Sequence, residues 1–321
     1  MKYFNKVKDK DFVILNLSDP QMNGFEWAED HPYRPILEYT VTTLVERVNP
    51  DLITVTGDMA YPGDYESYEK FAQLLDRFGI PWTIVWGNHD HQSGIKPILQ
   101  AAELFKKHPL CQFEDGDPAY GNGNYILCVQ EDDKPLTALF MIDSHNSIEA
   151  TMPNGERKWV YDKLWPDQLI WINETAKELK AKGYKDAIMM MHMPMYCYRQ
   201  AALMAFPEGR GGDSDIYGQQ HELIASHPFE DNVLSYIKDN RLISHILVGH
   251  DHCNNFMIDY DGVRLMFACK TGPGCYWQSA MNGGTVITIG AEGIQNAYHE
   301  FVDVTHLTEG KNLHEFVYNW D

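Results

Sequence analysis

No apolar run in this chain approaches the roughly 18–20 residues that a helical membrane span needs. The opening residues, Met1-Lys2-Tyr3-Phe4-Asn5-Lys6, lack the apolar core of a secretory signal. The expectation is a soluble, cytoplasmic protein with no membrane partner. Basic residues are also scarce. There are 26 Lys and Arg against 46 Asp and Glu, a net charge of −20. Such a chain repels nucleic acid, so none is expected as a partner. The six cysteines form no C-x-x-C pair, and most sit in apolar stretches, where they read as buried free thiols. There is no internal repeat, low-complexity tract or linker. Residues 1–321 therefore read as a single domain, and 44% hydrophobic content supplies ample core. Two N-x-S/T sequons, at Asn16 and Asn173, fall in a predicted strand and a predicted helix and read as chance matches.

What is present is a succession of short apolar strands, each spilling into a polar turn. FVILNL (12–17) ends in Ser18-Asp19-Pro20-Gln21. A helix with its stripe at Leu37, Val41, Leu44, Val45 and Val48 follows, started by Pro35. LITVT (52–56) ends in Gly57-Asp58-Met59-Ala60-Tyr61, and a second helix carries Phe71, Leu74, Leu75 and Phe78. WTIV (82–85) ends in Trp86-Gly87-Asn88-His89-Asp90. Further on, LTALFMI (136–142) leads to Asp143-Ser144-His145, DAIMMM (186–191) to His192, and ISHILV (243–248) to Gly249-His250-Asp251-His252. The segment 196–220 reads as one long loop, and the chain ends in antiparallel strands. In parallel α/β sheets, functional groups gather beyond the carboxyl ends of the strands. Asp19, Asp58 and Asn88 should therefore converge.

The polar residues after the strands comprise two carboxylates, one carboxamide and three imidazoles. That is too many donors for one tetrahedral zinc, and it suits two metal ions that share a carboxylate. Without a thiolate the set fits Fe, Mn, Zn, Co or Ni. Two such ions, roughly 3.5–4 Å apart, can deprotonate a shared water for attack on phosphorus. His89, next to a ligand, is the candidate donor of a proton to the leaving oxygen, with Asp90 to orient it.

Asp19, Gly57-Asp58, Gly87-Asn88-His89-Asp90, His192 and Gly249-His250-Asp251-His252 occur in order, each after a strand. In this the chain resembles the calcineurin-like metallophosphoesterases. The tail Lys270-Thr271-Gly272-Pro273-Gly274 is similar to the intracellular branch related to purple acid phosphatases. The resemblance implies a four-layer α/β/β/α sandwich of two mixed β-sheets. It also implies that Asp58 bridges two metals, that Asp19 and His252 bind the first, and that Asn88, His192 and His250 bind the second. One position departs from the commonest family pattern, Asp-x-His, which here is Asp19-Pro20-Gln21. Purple acid phosphatases instead use a tyrosine three residues after the bridging aspartate, and Tyr61 stands at that spacing. Two readings stay open: Tyr61 as a phenolate ligand favouring Fe(III), or Gln21 or water at that position while Tyr61 packs in the turn. The first site is expected to hold Fe, as Fe(III) under the phenolate reading, or Mn or Zn, and the second Fe, Mn or Zn.

Weaker candidates accompany these. Arg210, in a glycine-rich loop, is a candidate to fold over a substrate. Lys270 could meet a phosphate, and Arg199 reads as a surface charge. Tyr276 and Trp277 could line the pocket or pack in the core. His145 reads as a loop histidine facing solvent, Asp143 as a turn residue, and His91 as an extension of a polar loop. The expected reaction is hydrolysis of a small phosphomonoester, with a phosphodiester as runner-up and a protein substrate still open. The rival from another class is a phosphoesterase-fold scaffold that binds a partner without catalysis.

Overall fold

Alternate residues of the strand Asp186–Met191 belong to two different cores. Ile188 and Met190 pack in one, and Ala187, Met189 and Met191 in the other. A strand that is apolar on both faces lies in the middle of a layered structure, and this alternation defines the layers. The computed structural model describes residues 1–92, 95–311, 313 and 315–317.

One sheet has five strands, in the order Gly293–Phe301, Gly283–Gly290, Phe12–Leu17, Leu52–Val55 and Trp82–Ile84. The last three run parallel, and the first two are joined antiparallel. The other sheet has seven, in the order Lys2–Asn5, Tyr125–Glu131, Lys134–Met141, Asp186–Met191, Ile243–Val248, Val263–Phe267 and Met257–Tyr260. The first core joins both sheets, through Leu17, Ile53, Leu139 and Met190 among others, and extends to the helices Tyr33–Val48 and Tyr65–Asp76. The second core sets the helices Pro166–Ala181, Tyr196–Ala205 and Val233–Asn240 on the far side of the seven-stranded sheet. The result is the four-layer α/β/β/α sandwich of two mixed sheets. Among the described residues, no helix is long and apolar enough to cross a membrane.

The structure corrects the reading of 196–220 as one loop. It begins with the helix Tyr196–Ala205 and closes with the hairpin strands Gly212–Ser214 and Gly218–Gln220. The helix buries Cys197, Tyr198, Ala201 and Ala202, a face of mostly small residues that leaves only a faint apolar stripe in the sequence. A second hairpin, Ser147–Thr151 with Arg157–Tyr161, was also unforeseen, because most of it is exposed. The buried thiols are as expected: five cysteines are buried, Cys275 is partly so, and all are free. Asn16, the first sequon, is fully buried in its strand and donates to Thr54 Oγ1 at 3.1 Å.

Candidate metal centre

Strand register brings the ligand candidates to one edge. Leu17 pairs with Val55, and Val55 with Ile84, so the turns carrying Asp19, Asp58 and Asn88 leave their sheet at one level. In the facing sheet Met191 pairs with Val248, so His192 and His250 follow together. Backbone bonds then knit the turns: Asp19 N donates to Gly57 O (3.1 Å), Gln21 N to Asp58 O (3.0 Å) and Gly249 N to His192 O (3.0 Å). The turns are tight enough that Asp19, Asp58 and His250 adopt positive φ of 54°, 52° and 74°, an uncommon conformation for residues with a side chain. Glycine is required beside them. A Cβ on Gly87 would lie 2.1 Å from Asp58 Oδ1, and one on Gly249 2.3 Å from Ser18 Oγ.

Two trios of buried ligand atoms result, each within 4.8 Å of one another: Asp58 with His192 and His250, and Asp19 with Asp58 and His252. They share Asp58. Asn88 joins the first trio, its Oδ1 lying 3.0 Å from His192 Nε2. His192 Nε2 is also 3.3 Å from Asp58 Oδ2 and 3.2 Å from His250 Nδ1. In the second trio His252 Nε2 lies 3.5 Å from Asp19 Oδ1.

The outer nitrogens set the tautomers. His192 Nδ1–H donates to Thr56 O (2.8 Å) and His252 Nδ1–H to Tyr276 O (2.8 Å), so each Nε2 is the atom turned to the centre and would offer its lone pair to a metal that displaces its proton. Asp19 Oδ1, Gln21 Oε1, His89 Nδ1 and His250 Nε2 are all buried without a hydrogen-bond partner. Buried polar atoms are rarely left so. Lone pairs on carboxylate, carboxamide and imidazole, converging with orphaned atoms among them, fit hard or borderline metal ions. The electrostatics agree. Burial works against a charged Asp19, yet His192 and His252 hold it at about 2. Burial also disfavours a charged His192, but Asp58 and Asp19 push it up to about 10, the mark of a site that attracts positive charge. Burial and then the neighbouring His192 push His250 down to about 3, so it stays a neutral donor.

The residues around this cluster divide differently from expectation. His89 lies at the rim, 20% exposed, with Nε2 3.9 Å from Asp58 Oδ2, and its backbone N–H donates to Asp58 Oδ1 (2.8 Å). Asp90 does not orient it. Its carboxylate is taken up by four donors: Gly87 N (2.8 Å), Asp58 N (2.9 Å), Met59 N (3.2 Å) and Tyr68 Oη (3.0 Å). Asp90 thus pins the turns of the candidate ligands Asp58 and Asn88 together, because a buried carboxylate collects the nearest N–H groups. Gln21, buried, donates through Nε2 to Asp58 Oδ2 at 2.7 Å. Tyr61 is 38% exposed and sets its ring edge-on to His89, with centroids 4.2 Å apart.

Among the weaker candidates, Lys270 is buried and its Nζ donates to the carbonyl of Asp19, so it supports a ligand turn rather than meeting a substrate. Tyr276 stacks on His252 (4.1 Å) and its hydroxyl donates to buried Glu222 (2.7 Å). Trp277 is core, bonded to Leu313 O. Arg199 is exposed, as a surface charge should be, and its guanidinium also donates to Ser226 Oγ (2.6 Å) and O (3.0 Å). Arg210 is exposed. His145 is buried rather than solvent-facing, stacked on Trp165 at 3.9 Å. Asp143 is a buried acceptor for His91 Nε2 (3.0 Å). Sequence reasoning missed Tyr161, whose ring stands edge-on to His250 at 4.5 Å, and Glu222. Neither follows an apolar strand, the only signal that was available.

The family model described as calcineurin-like phosphoesterase matches residues 12–254, the span that carries every residue of both trios. The chain belongs to that family. It is 24% identical over 301 residues to Phosphatase DCR2 of Saccharomyces cerevisiae, a match covering 85% of this chain and 50% of the yeast protein. It is 25% identical over 285 residues to a protein of Arabidopsis thaliana named Probable inactive purple acid phosphatase 28, covering 82% and 68%. The chain thus spans half the length of that yeast relative. Among solved structures, a dimetal phosphatase from Danio rerio superposes over 90% of this chain and 98% of its own, with a TM-score of 0.56 at 13% identity. That likeness shows the fold.

Proposed function

We propose that this chain is a two-metal phosphohydrolase acting on a small phosphomonoester. The observation that carries the reading is the pair of buried ligand trios sharing Asp58, with His89 at their exposed rim. Asp19 and His252 would hold one ion, Asn88, His192 and His250 the other, and Asp58 both. Fe, Mn or Zn suits these donors at either position. When bound, the ions supply charge neutralisation for the phosphoryl oxygens and a water acidified near neutral pH.

The chain's own groups do the rest. Thr56 O and Tyr276 O fix the tautomers of His192 and His252. Gln21 donates to Asp58 Oδ2 and so positions the shared carboxylate. Its orphaned Oε1 supports Gln21 over Tyr61 as the extra donor at the first position, since Tyr61 lies half-exposed against His89. The His89 imidazole, partly open to solvent, gives its proton to the leaving oxygen, a role generally contributing about 10²–10⁴-fold. Tyr61 limits the rotation of that ring.

The deciding experiment compares p-nitrophenyl phosphate with bis-p-nitrophenyl phosphate, using protein supplied with Mn, Fe or Zn. Preference for the monoester supports this reading. Preference for the diester replaces it with a phosphodiesterase. No turnover with any metal favours a non-catalytic scaffold, a reading raised by the name of the Arabidopsis relative.

A further inference from the structure

The hairpin Ser147–Thr151 with Arg157–Tyr161 forms a two-stranded sheet of its own, yet its base is firmly held. Asp162 N donates to Asn146 O (3.1 Å), and Trp165 Nε1 donates to Asp162 Oδ2 (3.1 Å). The Trp165 ring lies flat on His145, 3.9 Å away at 10°. His145, unexplained by the metal centre, is thus part of the hairpin's footing.

From that footing the hairpin reaches the metal centre. Tyr161, its last residue, sets its ring edge-on to His250 with centroids 4.5 Å apart at 85°. Side chains two apart on a strand share a face, so Trp159 lies on the Tyr161 face, one step outward. The strand rise sets its Cα about 7 Å along the strand from that of Tyr161. Trp159 is 73% exposed. Its cross-strand partner Glu149 is paired with Arg157, so the one acidic group opposite the indole is neutralised. Trp159 thus presents a large exposed aromatic face on the same side of the hairpin as the ring that meets His250.

We propose that this hairpin is the leaving-group subsite of the phosphohydrolase, and that it selects small aryl phosphoesters. Tyr161 borders the phosphate end beside His250, and Trp159 takes the face of the aromatic leaving group. The proposal rests on the phosphohydrolase reading above. Offset or edge-on contact with the indole is the source of the preference. A neutral aromatic face gives an aliphatic or charged leaving group no comparable partner.

The test uses Mn-loaded full-length protein and non-hydrolysable probes in a calorimetric titration. Phenylphosphonate is expected to bind roughly tenfold tighter than methylphosphonate. In Trp159→Ala that ratio should collapse to about one, and in Trp159→Phe most of it should remain. Absence of a phenyl preference in the wild type, or its survival in Trp159→Ala, overturns the subsite. If manganese binds but neither phosphonate does, the phosphohydrolase reading itself fails, a result distinct from a lost preference. Phosphonomethylphenylalanine, free and inside a hexapeptide, separates the two sources of an aryl phosphate. Equal affinity supports the small ester, whereas a peptide bound more than about tenfold tighter overturns it in favour of a phosphotyrosyl chain.

Discussion

The two sheets contribute different chemistry to the same edge. The five-stranded sheet supplies the oxygen donors Asp19, Asp58, Asn88 and Gln21, and the seven-stranded sheet the imidazoles His192, His250 and His252. Both sides carry a strained turn, since His250 on the imidazole side also holds positive φ, but the oxygen side is the more heavily braced. Asp19, Gln21 and Asp58 all hold positive φ, and Asp90 and Lys270 bind the turns that carry them. The nitrogen side is held through the outer ring nitrogens, and one of the carbonyls that holds it, Thr56 O, belongs to the other sheet's turns. Each trio draws on both sheets, so neither sheet assembles a candidate metal position alone. The lesson is that the centre exists only where the two sheets pack.

The strongest way to break this comparison is to remove the shared donor. Asp58→Asn is expected to lower turnover by ~10³-fold or more and to reduce bound metal, measured by elemental analysis. A variant that kept both ions and nearly full activity would show that the trios do not share it. His89→Ala tests the rim apart from the ligands. It should lower kcat by about 10²–10⁴-fold while metal content stays at the wild-type level. Loss of metal instead would make His89 part of the ligand set. A third pair of variants sharpens the oxygen side. Gln21→Ala should weaken metal affinity by about 10–100-fold, the usual cost of removing a group that orients a ligand. Tyr61→Phe should leave it unchanged, and the iron-loaded wild type should show no phenolate charge-transfer colour. Such colour, lost in Tyr61→Phe, would reverse the assignment.

A separate effect, on stability rather than on the metal centre, concerns a tether between the sheets. His91, in the turn after Trp82–Ile84, meets Asp143, which follows Lys134–Met141. Burial opposes charge on both, yet Asp143 raises the His91 pKa and His91 holds Asp143 at about 2. Asp143 therefore contributes stability that is full above its ordinary 3.8 and is lost as pH falls toward about 2. His91 contributes stability that is full below its ordinary 6.5 and is lost as pH rises through its raised value. Stability from the pair should thus be greatest between those ordinary values. His91→Asn should remove about 3 kcal/mol there and flatten the pH profile of the melting temperature. An unchanged profile would mean that the tether carries no charge.

Much of this centre is legible in the residues alone. Five apolar strands each end in a metal-type donor, and strand periodicity with glycine punctuation is a local property, readable without coordinates. Parallel strands bring Asp19, Asp58 and Asn88 to one edge of the first sheet and His192 and His250 to one edge of the second; that the two edges meet was implied only by the family resemblance. Other features were not legible. The helix Tyr196–Ala205 buries mostly small side chains, and the hairpin bearing Trp159 and Tyr161 buries little, so neither leaves a strong apolar period. Asp90 stood next to His89 in the chain but points to the backbone of Gly87, Asp58 and Met59, because buried N–H groups outcompete a partly exposed ring. Gln21 and Tyr61 were equal candidates by spacing. Only packing placed the one against Asp58 and the other against His89. The sequence by itself thus determined which donors exist and at which strand ends they stand, since those follow from local period and turn chemistry. The tertiary structure decided which atoms face one another, because that depends on how two sheets meet across a shared core.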